Sequence, residues 1–324
     1  MISTGRPDGE FPGAQHEGGP VRAGWTAPAL AARIRGYLSG RARWRKREIA
    51  FWVIAWATLF VLPAKHLILT QIAVLALFAL SLDLILGYAG ILSLGHAAFF
   101  GMGAYAAGLL AVQGLIADPI LNLVASGLLA AVLGFATSFL VLRGSDLTRL
   151  MVTLGVAAVL REIANQVSWL TGGADGLQGV TFGPVLGRFS FDIGGHVAYA
   201  YSLSVLFVLF FVARRLVHSP FGLSLRAVRG NALRARAIGI PVERRLVAIY
   251  TVAALYAGIA GALLTQTTQF CSLDVLSFNR SADLLLVLIL GGIGYLYGGI
   301  IGAIVFTFLQ DWLASLTPQY WQFW

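Results

Sequence analysis

The chain has 324 residues, of which 58% are hydrophobic and only 11% are charged, and its mean hydropathy is +0.80. Because an ordinary soluble domain carries roughly 25% charged residues, this composition excludes a soluble enzyme. The long apolar runs also differ from the alternating segments of roughly ten residues that build a transmembrane β-barrel. At roughly 20 residues per crossing, we predict an all-α polytopic membrane protein with about eight to ten transmembrane or broken helices.

Two clusters hold most of the positive charge. Nine of the 23 basic residues precede Glu48, and eight lie between Arg214 and Arg245. This distribution is typical of loops that stay on the cytoplasmic side of a membrane. It accounts for the net charge of +9 without nucleic-acid binding, so we expect no nucleic-acid partner.

Residues 1–48 form a separate basic segment that is rich in Gly, Pro and Arg and contains no apolar run long enough for a signal peptide. We expect it to be largely disordered. Its arginines directly precede the first apolar run, which predicts a cytoplasmic N-terminus that can also meet anionic lipid. Residues 49–324 are predicted to form the transmembrane domain.

Nine apolar spans follow in that domain, and alternation from a cytoplasmic start places the Arg143–Arg149 turn and the Arg214–Arg245 segment inside. The loop at 171–196 then falls outside, either as a plain connection or as a surface for a partner. The predicted spans are 49–63, 67–86, 94–113, 120–142, 149–170, 197–213, 246–268, 283–294 and 298–316.

The segment from Ser81 to Leu110 is apolar but interrupted by Gly87, Gly90 and Gly95. Such interruptions free backbone groups that must bond to protein, water or a passing solute. Small residues that follow, Gly101 among them, would let helices approach closely. His96 lies in the same segment, and we favour a structural hydrogen-bond donor over a ligand there.

Four ionisable residues fall within predicted spans, namely Asp83, Arg161, Glu162 and Asp283. Each costs about 2.5–3.5 kcal/mol to insert. We expect Asp83, near a glycine break, and Asp283, near a span end, to reach water. The set is too small to indicate a proton- or sodium-coupled pump.

The most informative loop, here called the arginine-rich segment, is residues 219–245, SPFGLSLRAVRGNALRARAIGIPVERR. We predict one short amphipathic helix over about 223–239, which Gly239 ends and Pro241 prevents from resuming. Such a helix lies on the lipid surface or fits a groove on another protein. Small residues such as Ala227 and Ala235 favour the groove.

The last glycine-rich stretch runs from Leu288 to Phe306. Gly294 and Gly298 recur at a spacing of four, and Gly291 precedes them. This is a small-residue stripe that suits close helix contact. A tight bend lining a translocation path and plain helix packing are both compatible with it.

Several kinds of catalytic or metal site are missing from the sequence. The only two lysines, Lys46 and Lys65, do not follow a glycine-rich loop, so no Walker A motif exists. Cys271 is the only cysteine, and the five histidines are scattered, so no metal or disulfide framework is indicated. We therefore predict no catalytic residue, no metal and no cofactor in this chain, which is not an enzyme.

The glycine-rich and arginine-rich segments together resemble the permease subunits of branched-chain amino-acid ABC importers, the LivM type. The resemblance covers about residues 65–315 and rests on four blocks in the family's order. The blocks are SLDLILGYAGILSLGHAAFFGMGAYAA, TGGADGLQG, SPFGLSLRAVRGNALRARAIGI and LLLVLILGGIGYLYGGIIGA. There are two departures from the family pattern. Gly230 precedes Asn231 where the family usually has an acidic residue. In the last block, Tyr295, Tyr297 and Gly299 stand where the family usually has Ser and Trp before Gly-Pro.

The resemblance implies a five-part machine in the bacterial inner membrane. A second homologous permease completes the membrane path, two cytoplasmic subunits bind ATP and Mg, and a periplasmic protein delivers the solute. It also makes residues 223–239 the coupling helix, which would sit in an ATPase cleft. The residues expected to contribute to that coupling are Arg226, Ala227, Arg229, Asn231, Ala235 and Gly239.

Other functions remain open from the sequence alone. The urea- or amide-importing permeases of the same family share the glycine-rich blocks. A stand-alone ion-coupled carrier would need no ATPase, and an intramembrane enzyme would need a nucleophile and base that the sequence does not display.

Overall fold

The structure, a computed structural model, describes residues 46–192 and 194–316, with only the backbone of Asp146. The predicted disordered segment therefore lies almost entirely outside the described residues. The described part contains twelve α-helices and no β-strand. They are α1 (Lys46–Val61), α2 (His66–Ala89), α3 (Ala97–Val112), α4 (Pro119–Val141), α5 (Asp146–Gln166), α6 (Ser168–Thr171), α7 (His196–Val217), α8 (Pro220–Gly230), α9 (Ala232–Ala237), α10 (Val242–Thr268), α11 (Phe278–Gly291) and α12 (Gly298–Leu316).

Each of the nine predicted spans coincides with one of these helices, which confirms the all-α polytopic membrane class. Within the described residues, the helices long and apolar enough to cross a membrane are α2, α4, α7, α10 and α12, and α3 is a shorter apolar helix. The largest shift is in α11, which begins at Phe278 instead of residue 283. Its first turn contains Arg280 and is capped by Ser277, so an apolar window misses it.

Local chemistry explains where several helices begin. Asp118 accepts hydrogen bonds from the backbone N–H groups of Ile120 (2.9 Å) and Leu121 (3.0 Å), and Pro119 occupies the first turn of α4. Ser145 caps α5 in the same way. These caps satisfy donors that a helix start otherwise leaves unpaired.

Helices α2 and α10 form the centre of the bundle. α10 packs against α4, α3 and α2, while α2 also contacts α7 and α12. The core includes Leu77, Phe210 and Tyr250, whose side chains are buried. Helix α1 is tied to α7 by an ion pair between Glu48 and Arg214, with 2.9 Å between Oε1 and Nη1.

The two ends of the bundle differ in composition. We call the end that carries the arginine-rich segment the segment end; α7 and α8 meet there, and α10 starts there. At the opposite end, α10 finishes at Thr268, and the Leu177 N–H donates to the carbonyl of Cys271, just beyond that helix (2.7 Å). Helices α3 and α11 begin close to each other, further toward the middle of the bundle. There the Ala97 N–H donates to Ser281 Oγ (3.0 Å).

Candidate functional site

The arginine-rich segment folds as two helices, so the prediction of a single helix over 223–239 was wrong. α8 starts earlier, at Pro220, because proline suits the first helical turn. The break falls at Asn231, which is extended (φ −163°, ψ 106°) and whose side chain caps α9 by accepting from the Arg234 N–H (2.9 Å). Asparagine prefers such a cap to a helix interior.

The end of α9 matches the expected stop signal. Gly239 adopts φ +85°, a left-handed conformation that favours glycine. Its N–H donates to the Arg236 carbonyl (2.9 Å), and the Ile240 N–H donates to the Ala235 carbonyl (3.0 Å). The chain therefore turns sharply before Pro241 and enters α10.

The two short helices have distinct inner and outer faces. Leu225, Val228 and Ala235 are buried against the bundle. Leu233 and Ile238 are 76% and 74% exposed. The outer face, which we call the exposed segment face, thus combines large apolar side chains with arginine and small residues. Its members are Ala227, Gly230, Leu233, Arg234, Ala237 and Ile238.

Two of the predicted coupling residues reach inward to their own bundle. The Arg226 guanidinium lies over the Tyr88 ring, 5.3 Å from its centroid. Arg229 Nη1 donates a hydrogen bond to the Gly87 carbonyl. Both contacts are made at the C-terminal turn of α2, so α8 is attached to the first glycine break.

The same place receives the last glycine-rich stretch. The Gly294 N–H donates to the Asp83 carboxylate, with 2.7 Å between nitrogen and Oδ1. A Cβ on Gly294 would lie 3.2 Å from Arg229 Nη1, and one on Gly87 would overlap the Asp83 carboxylate. We call Asp83, Gly87, Arg229 and Gly294 the glycine–arginine node. Three segments that are far apart in the sequence meet there.

Asp83 is the residue of this node that sequence reasoning placed wrongly. We expected its carboxylate to reach water, but it is fully buried, at 0% exposure. The reason is the neighbouring Gly87, which has no side chain and lets the 292–297 turn cover Asp83. Its position one turn before a glycine break was the signal that could have revealed the contact.

The chain between the end of α2 and the start of α3 runs back into the middle of the bundle. Gly90, at φ +74°, ends α2, and a Cβ on Gly95 would overlap the Thr153 carbonyl of α5. His96 is fully buried, and its Nε2 forms a 2.8 Å hydrogen bond with Ser81 Oγ. His96 therefore makes a structural contact between α2 and the start of α3.

The remaining predicted glycines lie at close helix contacts. A Cβ on Gly101 would overlap the Leu276 side chain, so α3 packs tightly on the 273–276 turn. Cβ atoms on Gly291 or Gly298 would overlap backbone across the 292–297 turn. This turn joins α11 to α12 and contains Gly292 at φ +98°.

No group of three or more His, Cys, Asp or Glu side chains within residues 46–192 and 194–316 is arranged to hold a metal ion. The polar chemistry of the described residues is instead hydrogen bonding and ion pairing. Arg229 of α8 belongs to the node, and the exposed segment face lies on the same helix and on α9. A protein bound to the exposed segment face could therefore transmit a movement to the end of α2 and to the 292–297 turn.

Comparison with known sequences gives one family over most of the chain. The family described as "Branched-chain amino acid transport system / permease component" matches residues 66–323. No solved structure matches the chain significantly.

Three curated proteins are similar to the chain. The high-affinity branched-chain amino acid transport system permease protein LivM of Escherichia coli (strain K12) is 29% identical over 261 residues, or 74% of this chain and 61% of that protein. LivM of Salmonella typhimurium is 30% identical over 280 residues, or 79% and 65%. The probable ABC transporter permease protein YphD of E. coli is 34% identical over 118 residues, 35% of each chain. The chain thus spans less than two thirds of its LivM relatives.

Proposed function

Because this chain belongs to the branched-chain amino acid transport system permease family, we propose that it is the permease subunit of an ABC importer. It carries branched-chain or related amino acids across the bacterial inner membrane. A periplasmic binding protein delivers the solute, and two separate subunits bind ATP and Mg and supply the energy. The observation that carries the proposal is the attachment of α8 to both helix breaks through Arg229.

The exposed segment face is the surface on which an ATP-binding subunit docks. Leu233 and Ile238 are large apolar side chains that lie mostly outside the fold, on a loop rich in arginine. An apolar patch with a polar rim is typical of a protein contact. Ala227 and Ala237 allow a partner's backbone to approach closely. A helix that binds the lipid surface would more typically have a broad lysine-rich face.

The inner face of the same helices transmits the movement. A displacement of α8 moves Arg229, whose guanidinium donates to the Gly87 carbonyl and lies beside Gly294. Both glycines lie where α2 and α11 end, and small residues absorb changes in backbone angles there. ATP binding drives the transition only if the ATPase holds one permease state more tightly than the other.

Helix α5 is the face that meets the second permease. Most of its length is exposed, including Met151 (72%) and Val159 (59%). It also exposes Arg161 and Glu162, and Glu162 accepts a 2.6 Å hydrogen bond from Gln166. Exposed charge on a membrane-length helix is unfavourable against lipid, so a protein or a watered path must cover this face.

Reconstitution tests the function. The chain, its ATP-binding subunits and second permease, and the loaded binding protein should together accumulate leucine in vesicles when ATP is supplied. The chain alone should be inert. Uphill pumping by the chain alone would make it an ion-coupled carrier. If urea competes with uptake and leucine does not, the urea-importing alternative replaces the amino-acid assignment.

Docking has a separate test. Leu233→Glu with Ile238→Glu should prevent the ATP-binding subunits from co-purifying with the chain. Leu186→Glu is the matched control, because Leu186 is 69% exposed on the 172–195 loop at the opposite end. Normal co-purification of the double variant would remove the docking surface from the proposal.

A further inference from the structure

A second polar site lies away from the node, in a cavity of about 280 Å³ between α2, α3, α10, α11 and α12. We call it the polar cavity. Gln71 is in the second turn of α2, Leu264 is in the last turns of α10, and Gln310 is near the end of α12. All three positions place the cavity toward the opposite end of the bundle.

Two kinds of side chain line the cavity. One part is apolar and aromatic, and its members include Val74, Leu75, Phe78, Phe100 and Leu264. The other part carries charge of both signs together with amide and hydroxyl groups. Its members are Gln71, Arg280, Asp283, Thr307 and Gln310.

The two charged residues share one face of α11. Arg280 and Asp283 are three positions apart, which makes them neighbours on a helix surface. Arg280 Nε donates to Asp274 Oδ2 (3.0 Å), which fixes the guanidinium and leaves both Nη groups for a ligand. Among the described residues, none forms a hydrogen bond or a salt bridge with the Asp283 carboxylate.

This inference rests on the proposed function. We propose that the polar cavity binds the zwitterion of an aliphatic α-amino acid on its way through the permease. Arg280 takes the α-carboxylate, Asp283 takes the α-ammonium group, and the apolar wall takes the aliphatic side chain. The cavity volume fits a ligand of this size. It lies just below the roughly 300–1,000 Å³ of pockets that hold drug-sized ligands, and an amino acid is smaller than those ligands.

The chemistry of the lining selects this class of ligand. Charged groups at membrane depth are costly, at about 2.5–3.5 kcal/mol each, and typically mark a solute path. A neutral amide such as urea needs neither charge nor an aromatic wall. A free amino acid has an anionic end, a cationic end and an apolar branch, and the cavity offers a partner for each.

The aromatic lining of the cavity and helix α11 connect the cavity to the glycine-rich segments. The Phe78 ring packs 4.4 Å from Phe100 and 5.8 Å from His96, measured between ring centroids. Helix α11 carries Arg280 and Asp283 at one end and reaches the 292–297 turn of the node at the other. A movement of that turn therefore also moves the charged wall of the cavity.

Cysteine labelling tests occupancy directly. In the complete complex in nanodiscs, Thr307→Cys should react with a maleimide, and leucine should slow the reaction. Native Cys271 is only 1% exposed and gives little background. Ser315→Cys is the matched control on the same helix, outside the cavity lining, and leucine should not affect it. Urea should leave both rates unchanged.

Charge and size variants identify the recognising groups. Asp283→Asn should weaken protection by leucine about tenfold to hundredfold, the loss expected for one charged hydrogen bond. Asp311→Asn is the control, because Asp311 follows the cavity residue Gln310 on α12 but does not itself line the cavity. It should leave protection unchanged. Leu264→Phe narrows the apolar part and should slow leucine import more than alanine import, a selectivity change that a general folding defect would not produce.

The outcomes separate this site from the proposed function. If the wild-type complex imports leucine but leucine never protects Thr307→Cys, the cavity is not a substrate site. Protection that follows phospholipid content instead of leucine would make it a lipid site and overturn the proposal. If the wild-type complex fails to import any amino acid with ATP, the proposed function itself fails.

Discussion

The glycine–arginine node and the polar cavity both place charge inside the bundle, but they treat it in opposite ways. At the node, Asp83 is fully buried and accepts from the Gly294 N–H, while Arg229 donates to the Gly87 carbonyl. In the cavity, Asp283 and Arg280 line open space. The comparison teaches that a buried carboxylate held by a backbone N–H group fixes the position of a helix end, whereas charged side chains that line open space are available to a ligand.

Filling the node should give the largest effect. In Gly87→Val, the new side chain would overlap the Asp83 carboxylate and lie against the Gly294 nitrogen. Overpacking costs about 1–3 kcal/mol, and losing a buried hydrogen bond adds about as much. We expect ATP-driven uptake to be lost and the apparent melting temperature of the complex to fall.

Gly155→Val is the control for that variant. A Cβ on Gly155 of α5 meets no heavy atom within 4 Å. In the chain purified alone, where the proposed contact of α5 with the second permease is absent, Gly87→Val should lower the melting temperature and Gly155→Val should leave it close to that of the wild type. Equal stability of the Gly87 and Gly155 variants would show that the node is not closely packed.

Weakening the node without filling it should give an intermediate effect. Arg229→Gln removes a charge-assisted hydrogen bond, worth about 1.5–3 kcal/mol, so uptake per ATP hydrolysed should fall about tenfold or more. The ATP-binding subunits should still co-purify. Arg236→Gln is the comparison, because Arg236 only pairs with exposed Glu243 (3.3 Å), and exposed pairs contribute about 0–1 kcal/mol. An equal loss in both variants would contradict a special role for Arg229.

A smaller effect should come from the contact between the start of α3 and α11. Ser281→Ala leaves the buried Ala97 N–H without its 3.0 Å acceptor. An unsatisfied buried donor costs about 1–3 kcal/mol, which should lower the apparent melting temperature by several degrees. Ser315→Ala, at an exposed position on α12, should change it little. A normal melting temperature in Ser281→Ala would mean that water replaces the lost acceptor.

The smallest effect concerns a charge outside both regions, at the start of α7. Slight burial raises the pKa of Asp192, but hydrogen bonds from the Val197 and His196 N–H groups outweigh this and leave it below the ordinary 3.8. Because the folded pKa is lowered, ionised Asp192 stabilises the fold above pH 3.8, and this stabilisation is lost as the pH falls through the folded pKa.

Melting curves between pH 3 and pH 7 check this titration. The wild type should lose slightly more stability on acidification than Asp192→Asn, which has no charge to lose. Parallel curves for the two proteins would show that the cap does not contribute.

Much of the fold could be predicted from the sequence, because helices that lie in lipid consist of long apolar runs. All nine spans were found this way. The start of α11 was missed because its first turn contains Arg280, which lines the cavity, so hydropathy excludes residues that belong to the helix. The split at Asn231 was missed because amphipathic spacing continues across a single extended residue.

The site was less predictable for a physical reason. Glycine spacing identifies places where backbone approaches closely, and Gly87 and Gly294 were found on that basis. It does not identify the partner, so the meeting of Arg229, Asp83 and both glycines could not be foreseen. The predicted contacts of Arg226 and Arg229 with an ATPase stay a prediction, and the structure adds inward contacts for both side chains.

The central claim is that nucleotide bound at the segment end changes the cavity at the other end through Arg229. The most direct test is the maleimide labelling rate of Thr307→Cys in the complete complex, measured nucleotide-free, with ATP bound and after trapping with vanadate. We expect the rate to differ between these states, and the difference to disappear when Arg229→Gln is added. Identical rates in every nucleotide state of the Thr307→Cys complex would contradict the account.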